Sequence, residues 1–238
     1  MSRSPKTKKK KVRTEKPESG AGRSKSSTLK SEFSELDSRI RVCTLCRLSQ
    51  SRTNAVPGDG RTDSLKLMLV GEAPGRNEDL AGKPFVGAGG KLLDSILKEA
   101  GIERSDVYIT NIVKCRPPNN RKPLGDEVET CTKNYLEKQI ELLKPKLICT
   151  LGATALEYFT GSKVMGESRG KLIKTNSGRL VFPTYHPASV FRNRSFRALL
   201  QHDMNKVKSI IAEMDRGETP TMENGESTLD LFYPSSSC

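Results

Sequence analysis

Four cysteines, Cys43 and Cys46 in a CxxC pair and Cys115 and Cys131 farther along, offer four thiolates to one centre. Such a set could hold zinc or an iron–sulfur cluster. Zinc ribbons use two close knuckles, whereas Cys115 and Cys131 stand sixteen residues apart without knuckle glycines, a spacing that favours a cluster. The bland alternative is a redox CxxC with two small core thiols. Against it, Cys115 runs straight into Arg116, Pro117 and Pro118, poor company for a core residue. Cys149, inside the apolar run KLICTL, reads as a buried structural thiol, and the terminal Cys238 as inert. Without a secretory signal, disulfides are disfavoured.

Three polar loops carry the remaining candidates: GEAPGRNED with Glu72, Glu78 and Asp79, a TN pair with Asn111, and TYHPASVFRN with His186. Each follows a short apolar run that reads as a buried strand, over residues 65–70, 107–113 and 180–183, and residues 147–151 supply one more. Helical spacing predicts helices over residues 31–48, with the CxxC at the helix end, over 126–143 before Pro145, over 153–159 and over 196–214. Leu92, Leu93, Ile96 and Leu97 mark another, closed by Gly101. Strands alternating with helices at these intervals predict a three-layer α/β/α sandwich around a four-stranded, mostly parallel sheet. Sites in such sheets lie where the carboxyl ends of the strands converge, so the three loops are expected to meet.

Composition bounds the rest. Hydrophobic residues make up 34% of the 238 and aromatics 5%, low enough that part of the chain is expected to lie outside the core. Residues 1–30 hold eleven Lys or Arg against two Glu, which leaves only +4 of the net +13 for the other residues. We read 1–30 as a basic disordered tail, 31–216 as the folded domain and 217–238 as a polar tail. The basic tail is either an arm held to a polyanion by counterion release or a solubilising terminus. Lys outnumbers Arg there, two Glu interrupt it and no apolar face forms, so it does not read as a transit peptide. No stretch has membrane-spanning or signal-peptide character, and a soluble intracellular protein is expected.

The segments GEAPGRNEDLAGKPFVGAGG, TNIVKCRPPNNRKP and YHPASVFRN, in order and together with the four cysteines, resemble the family-four, iron–sulfur uracil-DNA glycosylases from about residue 36 to about residue 212. The resemblance implies a uracil-DNA glycosylase-like fold and a monofunctional DNA-repair enzyme. Such an enzyme flips uracil out of single- or double-stranded DNA, hydrolyses the N-glycosidic bond and leaves an abasic site. It implies a structural 4Fe-4S cluster on Cys43, Cys46, Cys115 and Cys131, and no divalent metal in catalysis. Glu72 would orient the attacking water or stabilise the cationic sugar, and His186 would face uracil O2 as negative charge develops there. Phe85 would stack on the base while Asn111 accepts from N3–H and donates to O4, a pairing that the reversed edge of cytosine leaves unsatisfied. Taken alone, these two are also compatible with a core Phe and a turn Asn. Gly71 and Ala73 would bring backbone close to the uracil, Glu78 would exclude the methyl of thymine at C5, and Asp79 would cap a turn.

Pro187, Ala188 and Ser189 would clamp phosphates, Val190 or Phe191 would wedge into the vacated stack or anchor the loop, and Arg192 and Arg194 would add phosphate contacts. His202, amid polar residues of a helix, reads as solvated. A related family that attaches covalently to uracil-DNA carries a basic, His-bearing insert after its TN motif. None occurs between Arg116 and Leu124, which favours turnover. Two alternatives remain: a uracil- or DNA-binding, replication-associated protein on the same scaffold without turnover, and a zinc protein. A monomer is expected, in the cytoplasm or nucleoid, or the nucleus of a eukaryote, with the tails available to a sliding clamp or replication protein.

Overall fold

The computed structural model describes residues 21–220. The basic residues before 21, most of the polar tail and Cys238 lie outside them. Four five-residue strands form the centre, β2 (Leu67–Gly71), β3 (Val107–Asn111), β4 (Leu147–Leu151) and β6 (Leu180–Thr184), all parallel in the order β3-β2-β4-β6. Their sequences are almost wholly apolar because helices cover both faces. Alternate residues still choose sides. Met68 and Val70 pack with Ile40, Tyr135 and Phe159, whereas Leu67 and Leu69 pack with Leu93, Leu97 and Leu200.

Among the described residues the sheet has six strands, not four. Two-residue strands β1 (Asp59–Gly60) and β5 (Ile173–Lys174) pair antiparallel with β3 and β6 at its two edges. Segments this short show no periodicity, so sequence patterning could not reveal them.

The first face of the sandwich carries α1 (Ala21–Arg41), α4 (Gly125–Cys131), α5 (Glu137–Leu143) and α6 (Ala153–Thr160). The second carries α3 (Ala88–Glu99) and α8 (Phe196–Asp215), while α2 (Arg76–Ala81) and α7 (Met165–Ser168) are short helices in loops. Helix α1 begins ten residues inside the segment read as a tail and stops just before the CxxC. The single helix expected over 126–143 is broken by a π turn at Thr132–Leu136, directly after Cys131. An extra residue of this kind re-aims the side chains around it and is common at functional sites. Lys144 then ends α5 in a left-handed conformation, φ 46°, ahead of Pro145. Cys149 is buried as expected, but His202 is half-buried, with its Nε2 out of solvent. No helix among the described residues is long and apolar enough to cross a membrane.

Candidate active site

The three loops do meet. Beyond the carboxyl ends of the strands lies a cavity of about 550 Å³ lined by Glu72, Ala73, Glu78, Phe85, Asn111, Gly152 and His186, with Ala188, Ser189 and Arg192 from the last loop. Gly71 pairs with Asn111 in the β2–β3 register and lies behind this wall, not in it. A Cβ there would fall 2.5 Å from Asn111 Oδ1 and 2.7 Å from Phe85 Cζ. The glycine therefore makes room for two side chains that face the cavity.

Asn111 is buried at the end of β3, and its Oδ1 has no hydrogen-bond partner among the described residues. A buried acceptor left open on a cavity wall is costly unless a ligand fills it. Phe85 holds a left-handed backbone, φ 51°. It is kept there from two sides. Glu78 Oε1 accepts from Val86 N at 2.9 Å and Gly87 N at 2.8 Å, and only a glycine fits at position 90, where a Cβ would meet Phe85 O at 1.8 Å. Glu78 thus lines the cavity and also ties down the loop that carries Phe85.

His186 caps the 3-10 turn Pro187–Phe191, and its Nδ1 accepts from Ala188 N at 3.1 Å. With Nδ1 an acceptor, the neutral ring carries its proton on Nε2. Burial pushes its pKa down to about 4, with Glu78 opposing and Arg192 adding to the shift. The ring lies 5.6 Å from that of Phe85, centroid to centroid, and tilts 30° to it. The strand leading into this loop is anchored below. Thr184 Oγ1 donates to Asp203 Oδ2 at 2.5 Å, and the buried Asp203 pairs with Arg169 at 2.6 Å. Tyr185 stacks on Phe196 at 4.2 Å.

Glu72 faces α6, where Thr154 Oγ1 donates to its Oε2. Asp79 does more than cap a turn. It is buried, and its carboxylate accepts from Thr53 N at 2.8 Å and Asn54 N at 3.2 Å, tying α2 to the segment that follows the CxxC. In the last loop Val190 is 8% exposed and packs into the core, whereas Phe191 is 61% exposed. The sequence places the Arg116 to Asn120 loop near DNA but gives Asn120 and Arg121 no part in the site, and both line the cavity from the loop after Cys115. The signal was available in the pair Asn119 and Asn120, both left-handed at φ 55° and 54°, since asparagine is the residue that most readily takes this conformation after glycine.

Cys43, Cys46, Cys115 and Cys131 line one small second pocket together with Arg52, Lys114 and Tyr135. None of the four takes part in a disulfide among the described residues. Three receive N–H donors: Cys115 from Arg52 Nη1 at 2.9 Å, Cys131 from the Lys114 amide at 3.3 Å and Cys43 from the Leu45 amide at 3.5 Å. Burial pushes the Cys131 thiol up to about 12, with Lys114 opposing. Among the described residues no three ligand-type side chains form a group that could hold a single metal ion. A wall of four thiols with N–H donors aimed at sulfur fits a thiolate-ligated group.

Residues 57–208 match the model of the Uracil DNA glycosylase superfamily. The chain is 46% identical over 177 residues to a type-4 uracil-DNA glycosylase of Thermotoga maritima, covering 73% of this chain and 91% of that protein. It is likewise 46% identical over 179 residues to a type-4 uracil-DNA glycosylase of Sulfurisphaera tokodaii, 71% of this chain and 80% of that one. A DNA polymerase of Bacillus phage SP01 is 32% identical over 174 residues, which span 73% of this chain but 18% of the polymerase. With the parallel sheet, the cavity at its strand ends and the four-thiol pocket beside it, these matches place the chain in the uracil-DNA glycosylase superfamily, among the type-4 enzymes.

Proposed function

We propose that this glycosylase flips uracil from DNA into the strand-end cavity and hydrolyses its N-glycosidic bond, leaving an abasic site. The observation that carries this is the open Oδ1 of Asn111, an acceptor that uracil N3–H would fill while the side-chain amide donates to O4. Phe85 gives the base a face to stack on. As the C1′–N1 bond breaks, the departing base takes the bonding electrons and negative charge grows on O2, where the Nε2–H of a neutral His186 donates. Glu72, held by Thr154, faces the electron-poor sugar and orients the water whose oxygen bonds to C1′, and the proton that this water loses ends on the departing uracil anion. Glu78 walls the C5 side of the base.

Ala188, Ser189 and Arg192 suit contacts to the phosphates beside the flipped nucleotide. For the wedge, burial of Val190 and exposure of Phe191 favour Phe191. Cys43, Cys46, Cys115 and Cys131 would hold a 4Fe-4S cluster, which when bound crosslinks the segment after α1, the loop after β3 and the end of α4. Brown colour with visible charge-transfer absorption of the purified protein supports the cluster, and a colourless zinc-loaded protein refutes it. The basic segment before residue 21 suits an arm on DNA.

The test of function is a uracil-containing oligonucleotide incubated with protein and then cleaved with alkali at abasic sites. Strand cleavage is expected. The stretch shared with a phage polymerase favours a second reading, a replication-associated protein without turnover, and that protein would leave the oligonucleotide intact.

A further inference from the structure

Lys114 stands between the two pockets and is only 1% exposed. Its Nζ donates to Asn111 O at 2.8 Å and to Thr110 Oγ1 at 2.6 Å. Its own amide donates to Cys131 Sγ at 3.3 Å, and its carbonyl accepts from Val56 N at 2.7 Å. A lysine enclosed this completely gives up the hydration of its amino group, an arrangement kept only where specific acceptors replace the water. One of those acceptors is the backbone of Asn111. β3 ends at this residue, with Ile112 N and Val113 N still donating to Gly71 O and Glu72 O, and the lysine Nζ reaches back to the Asn111 carbonyl.

The site therefore has a floor as well as walls. Gly71 leaves room for the Asn111 side chain, and the lysine Nζ holds the Asn111 carbonyl. The same residue's main chain is fastened to a cysteine ligand on one side and to the segment before β1 on the other. We propose that Lys114 is a positioning residue for base recognition, holding Asn111 so that its open Oδ1 meets the edge of uracil. This rests on the assignment of Asn111 as the reader of uracil.

Lys114→Met, close in length but without donors, tests it in the full-length protein. Free uracil serves as a competitive inhibitor and reports the base site alone, while affinity for duplex DNA carrying an abasic-site analogue reports the DNA surface. Loss of one well-aimed hydrogen bond to the base corresponds to about a tenfold change. The expected result is free-uracil inhibition weakened about tenfold, a parallel fall in kcat/KM, and unchanged abasic-DNA affinity and visible absorption. Unchanged uracil inhibition in a folded variant that excises uracil like the parent overturns the proposal and leaves the proposed function standing. A parent protein that excises nothing overturns the function itself. Should Lys114→Met not fold, Lys114→Arg keeps N–H donors at this position but moves them off the carbonyl. Weakened uracil inhibition then supports the clamp and unchanged inhibition refutes it.

Discussion

The backbone amide of Ala188 donates to Nδ1 of His186 at 3.1 Å, which leaves the ring's single proton on Nε2, the atom free to act on a ligand. Burial lowers this histidine's pKa to about 4, so protonation belongs to the unfolded chain first. Stability from the neutral ring is then complete above about pH 6.5 and is lost as pH falls toward the folded value. Excision should show no break at the ordinary histidine pKa. In melts between these two pH values the wild type should lose stability more steeply than His186→Gln, which should also lose activity at all pH. An acid limb centred near the ordinary histidine value would sink the assignment.

Asn111→Ala removes the open acceptor and the donor together. Each hydrogen bond to the base is worth about a tenfold change, so kcat/KM on uracil-DNA should fall by roughly one hundredfold. Affinity for abasic DNA should hold. Steady-state kinetics beside a binding titration read both, and a variant that excises uracil at the parental rate would exclude Asn111 as the reader.

Thr154→Val keeps the shape beside Glu72 and deletes its hydroxyl donor. Orientation of the attacking water should suffer with little effect on binding, so kcat should drop by about tenfold at constant KM. Thr154→Ser should restore most of it. A loss confined to KM would argue that Glu72 serves binding.

Phe191→Ala should harm duplex substrates more than single strands, by roughly tenfold, because only the duplex has a stack to fill. Val190→Ala should act differently, lowering stability by about 1 to 2 kcal/mol through the cavity it leaves. Parallel assays on matched single- and double-stranded oligonucleotides, with thermal melts, separate the two. Equal losses on both substrates for Phe191→Ala would remove it as the wedge.

Cys115→Ser should yield protein that is less soluble and paler, with reduced melting temperature. A stable, colourless and fully active variant would end the structural role of the centre.

Much of this architecture was legible in the chain. The run Leu67 to Val70 is apolar at every position, a property of strands covered on both faces, and it ends in the loop that carries Glu72. Other features depend on contacts made across long sequence separations. Nothing local distinguishes Val190 from Phe191, two adjacent apolar residues that a 3-10 turn sends in different directions. Lys114 reads as one more basic residue until its Nζ is found donating to the Asn111 carbonyl. Asp79 likewise looks like an ordinary acid of a first helical turn, yet it binds amides some twenty-five residues upstream. The π turn after Cys131 leaves the hydrophobic spacing helical, so the pattern alone shows one unbroken helix.

The left-handed backbone of Phe85 has one more consequence. Glu78 and the absent side chain at Gly90 hold it in a conformation a phenylalanine seldom adopts. The chain's own contacts therefore fix the backbone that carries the ring. The work of reaching the bond falls on the DNA, which must surrender stacking and pairing to deliver its nucleotide. Base pairs that are already weak should give theirs up soonest, so the rate at which a lesion is found would follow the local stability of the helix around it.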